Sequence, residues 1–270
     1  MKDNSGLKKP KDNWANGELY ERYVGRWSRP VAREFLQWLA VPAGGQWLDV
    51  GCGTGALSQT ILEVSEPAGI TALDHSEAFV AFACSQITDE RVRFEVGDAQ
   101  ILRSDIGPFD AIVSGLVLNF IPKPDQALAG MRRVARKGGV VGAYVWDYAE
   151  GMQLMRHFWD AAVALDPKVK DIDEVRRFPH SRPGPLKELF QGAGFHHVEV
   201  IPVDVPTHFR DFDDYWSPFL GGQGPAPSYA MSLDEEVRVR LREKIRADLP
   251  IQPDGSIHLS ARAWGIKGVC

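Results

Sequence analysis

In the stretch WLDVGCGTGALS, Trp47 to Ser58, a short apolar run ends in an acid, Asp49. Three glycines, Gly51, Gly53 and Gly55, then stand at alternate positions. Glycine this dense after a strand lets backbone N–H groups and a helix N-terminus press against a ligand that side chains would hold away. The spacing Gly51-x-Gly53-x-x-Ala56 also satisfies the dinucleotide fingerprint, so the loop alone fits any adenosine-bearing ligand. Asp49 narrows the choice. A carboxylate beside the glycines opposes a pyrophosphate in a partly buried cleft and suits a cationic amine or sulfonium. Asp74 and Asp98 close the next two apolar runs, GITALD and VRFEVGD. An acid at the first place can accept from both ribose hydroxyls, and one at the second from an adenine amino group.

Those acids must be set along one edge by repeated elements. QWLDV reads as a strand and GALSQTILEV as a helix. GITALD follows as a strand, then SEAFVAFACSQI as a helix with Ser76 as its N-cap. VRFEVGD and FDAIVSG are strands, PDQALAGMRRVAR a helix and GGVVGAYVW a fifth strand. Alternation at this spacing predicts right-handed crossovers and a doubly wound, mostly parallel α/β sheet with helices on both faces. Upstream, ELYERYVGRWSRPVAREFLQWLA carries a helical pattern that Pro30 is expected to restart. Downstream, GMQLMRHFWDAAVAL and GPLKELFQGAGF read as helices, HHVEVIPVDV and SIHLSARAWGIKG as strands, and Phe178–Pro185 as a loop. The last helix, SLDEEVRVRLREKIRADL, is expected to be capped by Ser232, with Glu235 three residues on.

The chain has 270 residues, 44% apolar and 25% charged, enough for one large α/β domain or two small ones. A net charge of −5 gives no electrostatic reason to expect nucleic acid. Three cysteines without a CxxC pair argue against a disulfide framework or a cysteine-based zinc site, and no metal is expected. The polar N-terminus has no signal-peptide core, and no apolar run approaches the roughly 20 residues that span a bilayer. The expectation is a cytoplasmic protein without membrane insertion. Residues 1–17 would be a disordered leader and 18–270 a single domain. Its core would run over about 46–148, with lid-like segments at about 18–30, 149–183 and 206–253.

LDVGCGTG, ALD, VGDA, FDAIVSG and RKGGVVGAYVW resemble, in order, the motifs of class I S-adenosylmethionine-dependent methyltransferases. They are most similar to the small-molecule group that includes the ubiquinone/menaquinone C-methyltransferases. The resemblance covers roughly Trp47 to Trp146. It implies a seven-stranded Rossmann-like sheet with helical insertions over the C-terminal strand edge, and S-adenosyl-L-methionine as cofactor. It also implies that Gly51 and Gly53 face the methionine moiety with Asp49 close by. Asp74 would hold the ribose, His75 lie against the adenine, and Asp98 and the Ala99 N–H read its edge. The backbone from Ser114 to Leu116 would line the methyl-donor end. RKGG stands where the family usually has Pro-Gly-Gly. About fifty residues separate the last two strands, which the family joins by a close hairpin.

A sulfonium already carries an activated methyl group, so such a protein mainly aligns the reactants for in-line displacement and excludes water. Catalytic residues are therefore weakly encoded. No Asn/Asp-Pro-Pro-aromatic box follows the fourth strand, which disfavours amino-methylation of nucleic acid or protein. The abundant aromatics in 18–30, 146–160 and 208–224 could roof a mostly apolar pocket for a small aromatic or apolar metabolite. Tyr23, Trp27, Asn119, Trp146 and His208 are candidate lining residues, with Asp147 and His157 as further polar groups. A monomer or homodimer is expected. The competing readings are an NAD-dependent oxidoreductase and a cofactor-binding module without catalysis.

Overall fold

The computed structural model describes residues 17–222 and 224–270. The expected leader therefore lies outside the described residues except for Gly17. Seven strands form one sheet: β1 (Gln46–Val50), β2 (Gly69–Asp74), β3 (Val92–Val96), β4 (Phe109–Gly115), β5 (Ala135–Trp146), β6 (His196–Phe209) and β7 (Ile257–Val269). Their order is β3-β2-β1-β4-β5-β7-β6. The first five pair in parallel, whereas β7 runs antiparallel to β5. The mostly parallel, doubly wound Rossmann-like sheet is therefore present, with one antiparallel strand.

Burial explains the strand sequences. Trp47, Leu48 and Val50 of β1 and Ala111, Ile112 and Val113 of β4 are fully buried, as central parallel strands covered on both faces require. The edges are blunted. β3 exposes Arg93, and β6 carries the exposed prolines Pro202 and Pro206, which cannot donate to an added strand. Side chains alternate across a strand. In β5, Val141, Ala143 and Val145 join Leu48, Ile112, Met131, Leu186 and Phe190 in one cluster. On the other face, Tyr144 meets Phe35 with ring centroids 4.8 Å apart. Gly142 leaves the room there that Phe35 and Leu39 occupy. Helices Pro124–Val134 and Pro183–Gly192 thus pack on one face, and residues Trp27 to Leu39 on the other.

Several local expectations need correction. Pro30 does not restart a helix: Arg26–Leu39 runs through it, after a π-turn over Glu21–Gly25. Its missing N–H falls in the first turns, where the wider preceding turn has already disturbed the hydrogen-bond ladder. Ser232 does not cap the last helix. It ends the helix Pro225–Ser232 and donates to the Tyr229 carbonyl at 2.7 Å. Asp234 is the residue at the start of Glu235–Asp248. Arg136 and Lys137 lie inside β5 rather than before it. Ala135 pairs with Phe109 and Val140 with Ala111, five steps against two, so the segment bulges out of the ladder. The expected loop Phe178–Pro185 is cut short by a helix that starts at Pro183.

The chain divides into two compact units, with the division falling within β6 and β7. One holds Trp27–Trp146, His180–Val203 and Ala263–Cys270, and carries most of the sheet. The other, with residues up to Arg26, Asp147–Pro179 and Asp204–Arg262, is mainly helical and dense in aromatic rings. Within it Phe158 and Phe219 stack at 4.6 Å, and Tyr23 meets Phe219 edge-on at 5.4 Å. No helix among the described residues is long and apolar enough to cross a membrane.

Candidate active site

The sheet unit builds its candidate site at the end of β1. Gly51, Gly53 and Gly55 all have positive φ, at 78°, 52° and 86°. Glycine adopts this region without the penalty other residues carry. The loop is tied to β2: the N–H groups of Gly51 and Cys52 donate to the Leu73 carbonyl, at 2.7 and 3.0 Å. The Gly53 N–H donates to Asp74 Oδ2 at 3.0 Å, and the Ser76 N–H to Asp74 Oδ1 at 2.8 Å. Asp74 is therefore a brace of the glycine loop as well as the acid at the end of β2. Each of its oxygens keeps further acceptor capacity. Ser76 caps the helix Glu77–Gln86 as expected, accepting from the Phe79 N–H at 3.3 Å.

Asp49 is fully buried between β2 and β4, level with Ala72 and Val113. Its Oδ2 accepts from Ser58 Oγ at 2.7 Å, while its Oδ1 has no partner. Burial pushes its pKa up to about 7, with the Ser58 hydrogen bond opposing and the negative charge of Asp74 adding to the rise. Such a group gains most from a cation placed at its free oxygen. The helix Ala56–Val64 begins at Gly55 without a side-chain cap, so its first N–H groups suit an anionic or carbonyl group. A Cβ on Gly53 would meet nothing within 4 Å, so the loop borders open space there. A zwitterion with an ammonium and a carboxylate fits this pair of features.

At the end of β4, Leu116 has φ +62°, an uncommon conformation for a large side chain, and donates its N–H to the Tyr144 carbonyl at 2.8 Å. Held strain of this kind concentrates at binding sites. Ser114 Oγ and both polar atoms of the Asn119 amide are buried without hydrogen-bond partners. Asp98 is exposed and accepts from the Gln100 backbone at 2.8 Å, which caps the short turn that Ala99 opens. His75 is 84% exposed at its side chain, with Nδ1 3.4 Å from Asp74.

Of the proposed lining residues, Trp27 and Trp146 are buried in the sheet unit, where Asn119 is half-buried, and Tyr23 is buried in the aromatic unit. His208 sits on the exposed side of β6, where the alternation buries Val205, Thr207 and Phe209, and its ring lies tilted against that of His258 with centroids 3.8 Å apart. Asp147 is buried and accepts from the N–H groups of Ala149 and Glu150, a turn-forming role. Burial lowers the pKa of His157. Sequence reasoning missed Glu174. It looks solvated in the charged run DIDEVRR, yet it is 1% exposed and neither carboxyl oxygen has a hydrogen-bond partner. No local pattern announces this burial.

Comparisons with known proteins show what the chain is similar to. Residues 48–139, roughly a third of the chain, match the family described as a methyltransferase domain. The chain is similar to the demethylmenaquinone methyltransferase of Lactobacillus johnsonii, 25% identical over 64% of this chain and 77% of that enzyme. The aligned stretch spans between 30% and 66% of several other curated relatives. Among solved structures, phosphoethanolamine N-methyltransferase 2 of Haemonchus contortus, bound to phosphomonomethylethanolamine and S-adenosylhomocysteine, superposes with a TM-score of 0.57. It is 16% identical over 94% of this chain and 56% of that one. The [4+2]-cyclase SpnF superposes at 0.52, with 17% identity over 94% and 95%. Residues 48–139 thus match a methyltransferase domain, and the chain is similar to demethylmenaquinone and ubiquinone/menaquinone methyltransferases.

Proposed function

We propose that the protein transfers a methyl group from S-adenosylmethionine to a small metabolite with an aromatic or apolar body. The unpartnered Oδ1 of buried Asp49, beside the glycine loop, is the observation that carries the donor side of this reading. On it, Asp49 takes the ammonium of the methionine moiety and the N-terminus of Ala56–Val64 takes its carboxylate. Asp74 accepts from the ribose hydroxyls, and His75, Asp98 and Ala99 border the adenine. When bound, the cofactor supplies an electrophilic methyl group on a sulfonium. Gly51, Gly53 and the Leu116 backbone are left to set its position, with Ser114 and Asn119 as polar groups available near that end. A pyrophosphate in the same loop would meet the Asp49 carboxyl as a like charge, which disfavours a nicotinamide dinucleotide.

The acceptor side is supported by the density of buried aromatic rings, Tyr23, Tyr148, Phe158, Trp159 and Phe219 among them. Pockets for small ligands are built in this way, from apolar and aromatic walls with few polar groups. Incubation with methyl-labelled S-adenosylmethionine and a fractionated metabolite extract tests the reading. Label is expected in a low-molecular-weight product and at background in added nucleic acid and protein. Bound cofactor without label transfer to any fraction would overturn methyl transfer while leaving cofactor binding in place.

A further inference from the structure

Within the sheet unit, away from the glycine loop, four cations line one depression of about 330 Å³: Arg132, Arg133, Arg136 and Lys137. Three alanines and Cys270 complete its lining, and no lining side chain is acidic among the described residues. β5 runs parallel to β4, and β4 parallel to β1, so the start of β5 lies at the sheet edge opposite the glycine loop. Across the seven residues of β4, that separates the two places by roughly 20 Å. Arg136 and Lys137 stand in the bulge of β5, in the RKGG segment that departs from the family pattern. The bulge is tied to the end of β7. The Gly138 N–H donates to the Cys270 carbonyl at 2.9 Å, and the Cys270 N–H to the Gly139 carbonyl at 3.0 Å. Arg132 lies against the neighbouring turn, where a Cβ on Gly194 would stand 3.3 Å from its Nη1.

The protein does not balance these charges itself. Asp110 pairs with Arg136, and the Leu102 carbonyl accepts from Arg133 at 2.6 Å. Arg132 and Lys137 have no hydrogen-bond or ion-pair partner among the described residues. The helices Pro124–Val134 and Pro183–Gly192 both end here, and each C-terminus brings about half a negative charge. Those ends explain Arg132 and Arg133 as dipole partners, but not Arg136 and Lys137, which lie beyond the helix. Against four cations, Asp110 and the two helix ends leave a surplus of about two positive charges. We propose that the depression binds the phosphate group of a small molecule, at a site separate from the glycine loop and independent of the methyl-transfer reading. A phosphate monoester carries about two negative charges near pH 8 and matches the surplus, whereas a carboxylate supplies one. Its oxygens also suit guanidinium forks, which hold phosphate by paired N–H···O bonds. The volume lies at the lower end of small-ligand pockets, roughly 300–1,000 Å³, so room remains for the rest of such a molecule. The chain's net charge of −5 disfavours a long polyanion, whose charges would extend past the depression.

Calorimetry on the full chain at pH 8 and physiological ionic strength tests this with inorganic phosphate, acetate, a short single-stranded RNA and phosphatidylserine vesicles. Phosphate is expected to bind with a Kd below about 1 mM, and acetate at least about tenfold more weakly. The double variant Arg132→Gln/Lys137→Gln is expected to weaken phosphate at least about tenfold while keeping the wild-type circular dichroism spectrum. Lys137→Gln alone, at an exposed position of the bulge, should weaken it about threefold. No phosphate binding, or equal binding of acetate, would overturn the site. Phosphate binding unchanged in both variants would also overturn it, by placing the anion elsewhere, such as at the N-terminus of Ala56–Val64. Binding of RNA or vesicles without phosphate binding would do the same, since the partner would then be an extended anionic surface.

Discussion

Gly51 and Gly53 are two residues apart, share a positive φ, and differ in what surrounds them. A Cβ on Gly51 would come within 2.5 Å of the Val117 side chain, whereas one on Gly53 would touch nothing. Gly51→Ala therefore combines backbone strain with a clash and is expected to cost about 3 kcal/mol in urea unfolding. Gly53→Ala carries only the left-handed penalty, about 1–2 kcal/mol. Its methyl group projects into the space assigned to the methionine moiety, so S-adenosylhomocysteine affinity should drop at least about tenfold in calorimetry. Wild-type affinity in Gly53→Ala would remove the methionine from that side of the loop. Asp74 illustrates how a residue read for one role holds another. Its carboxylate braces the Gly53 N–H at 3.0 Å, so its loss would disturb the loop together with any ribose contact.

Among the elements, the short helix Glu174–Arg177 depends on one ion pair. Asp173 caps it by accepting from the Val175 N–H at 3.0 Å and is held by both guanidinium nitrogens of Arg156. Arg156 also donates to the Tyr148 carbonyl at 3.0 Å. Arg156 and Asp173 are 14% and 10% exposed at their side chains, so removing one partner strands a buried charge. Arg156→Ala is expected to destabilise the protein by about 3 kcal/mol in urea unfolding. A change below about 1 kcal/mol would mean that water already screens the pair. Nothing in the sequence marks this arrangement, because it joins residues that a helix and two tight turns bring together. The sheet was far more legible. β2 and β4 fall on GITALD and FDAIVSG residue for residue, because central parallel strands must be short, continuous apolar runs bounded by turns. The cofactor-loop acids were legible for the same reason, since strand ends fix where they stand. Pro30 and Ser232 misled because each has a strong local preference that a neighbouring helix overrides.

For the molecule as a whole, two buried acids with raised pKa values shape stability against pH. Asp49 and Glu174 have folded-state pKa values pushed up to about 7 and about 8. Between the unfolded values near 4 and these, the folded chain binds more protons than the unfolded one. Stability therefore falls as pH rises through that window, and the loss is complete above about 8. Thermal scans of the cofactor-free protein should show the melting midpoint decreasing from pH 5 to pH 9. Glu174→Gln should flatten part of that slope and add on the order of 2 kcal/mol at pH 9. A midpoint that rises across the window, or an unaltered slope in the variant, would show that these carboxyls are not held as described. On the proposed assignment, the Asp49 penalty is the one that the ammonium of the methyl donor would relieve.

The central claim is that Asp49 and the glycine loop hold the methyl donor through its ammonium group. Calorimetric titration of S-adenosylhomocysteine at pH 8, into wild type and Asp49→Asn, tests it most directly. Asparagine keeps the shape and the Ser58 contact while removing the charge. The account predicts a wild-type Kd well below 1 mM, weakened about 10- to 100-fold in the variant, in line with the loss of a charged hydrogen bond. No wild-type binding tighter than about 1 mM, or equal affinity in the two proteins, would contradict it.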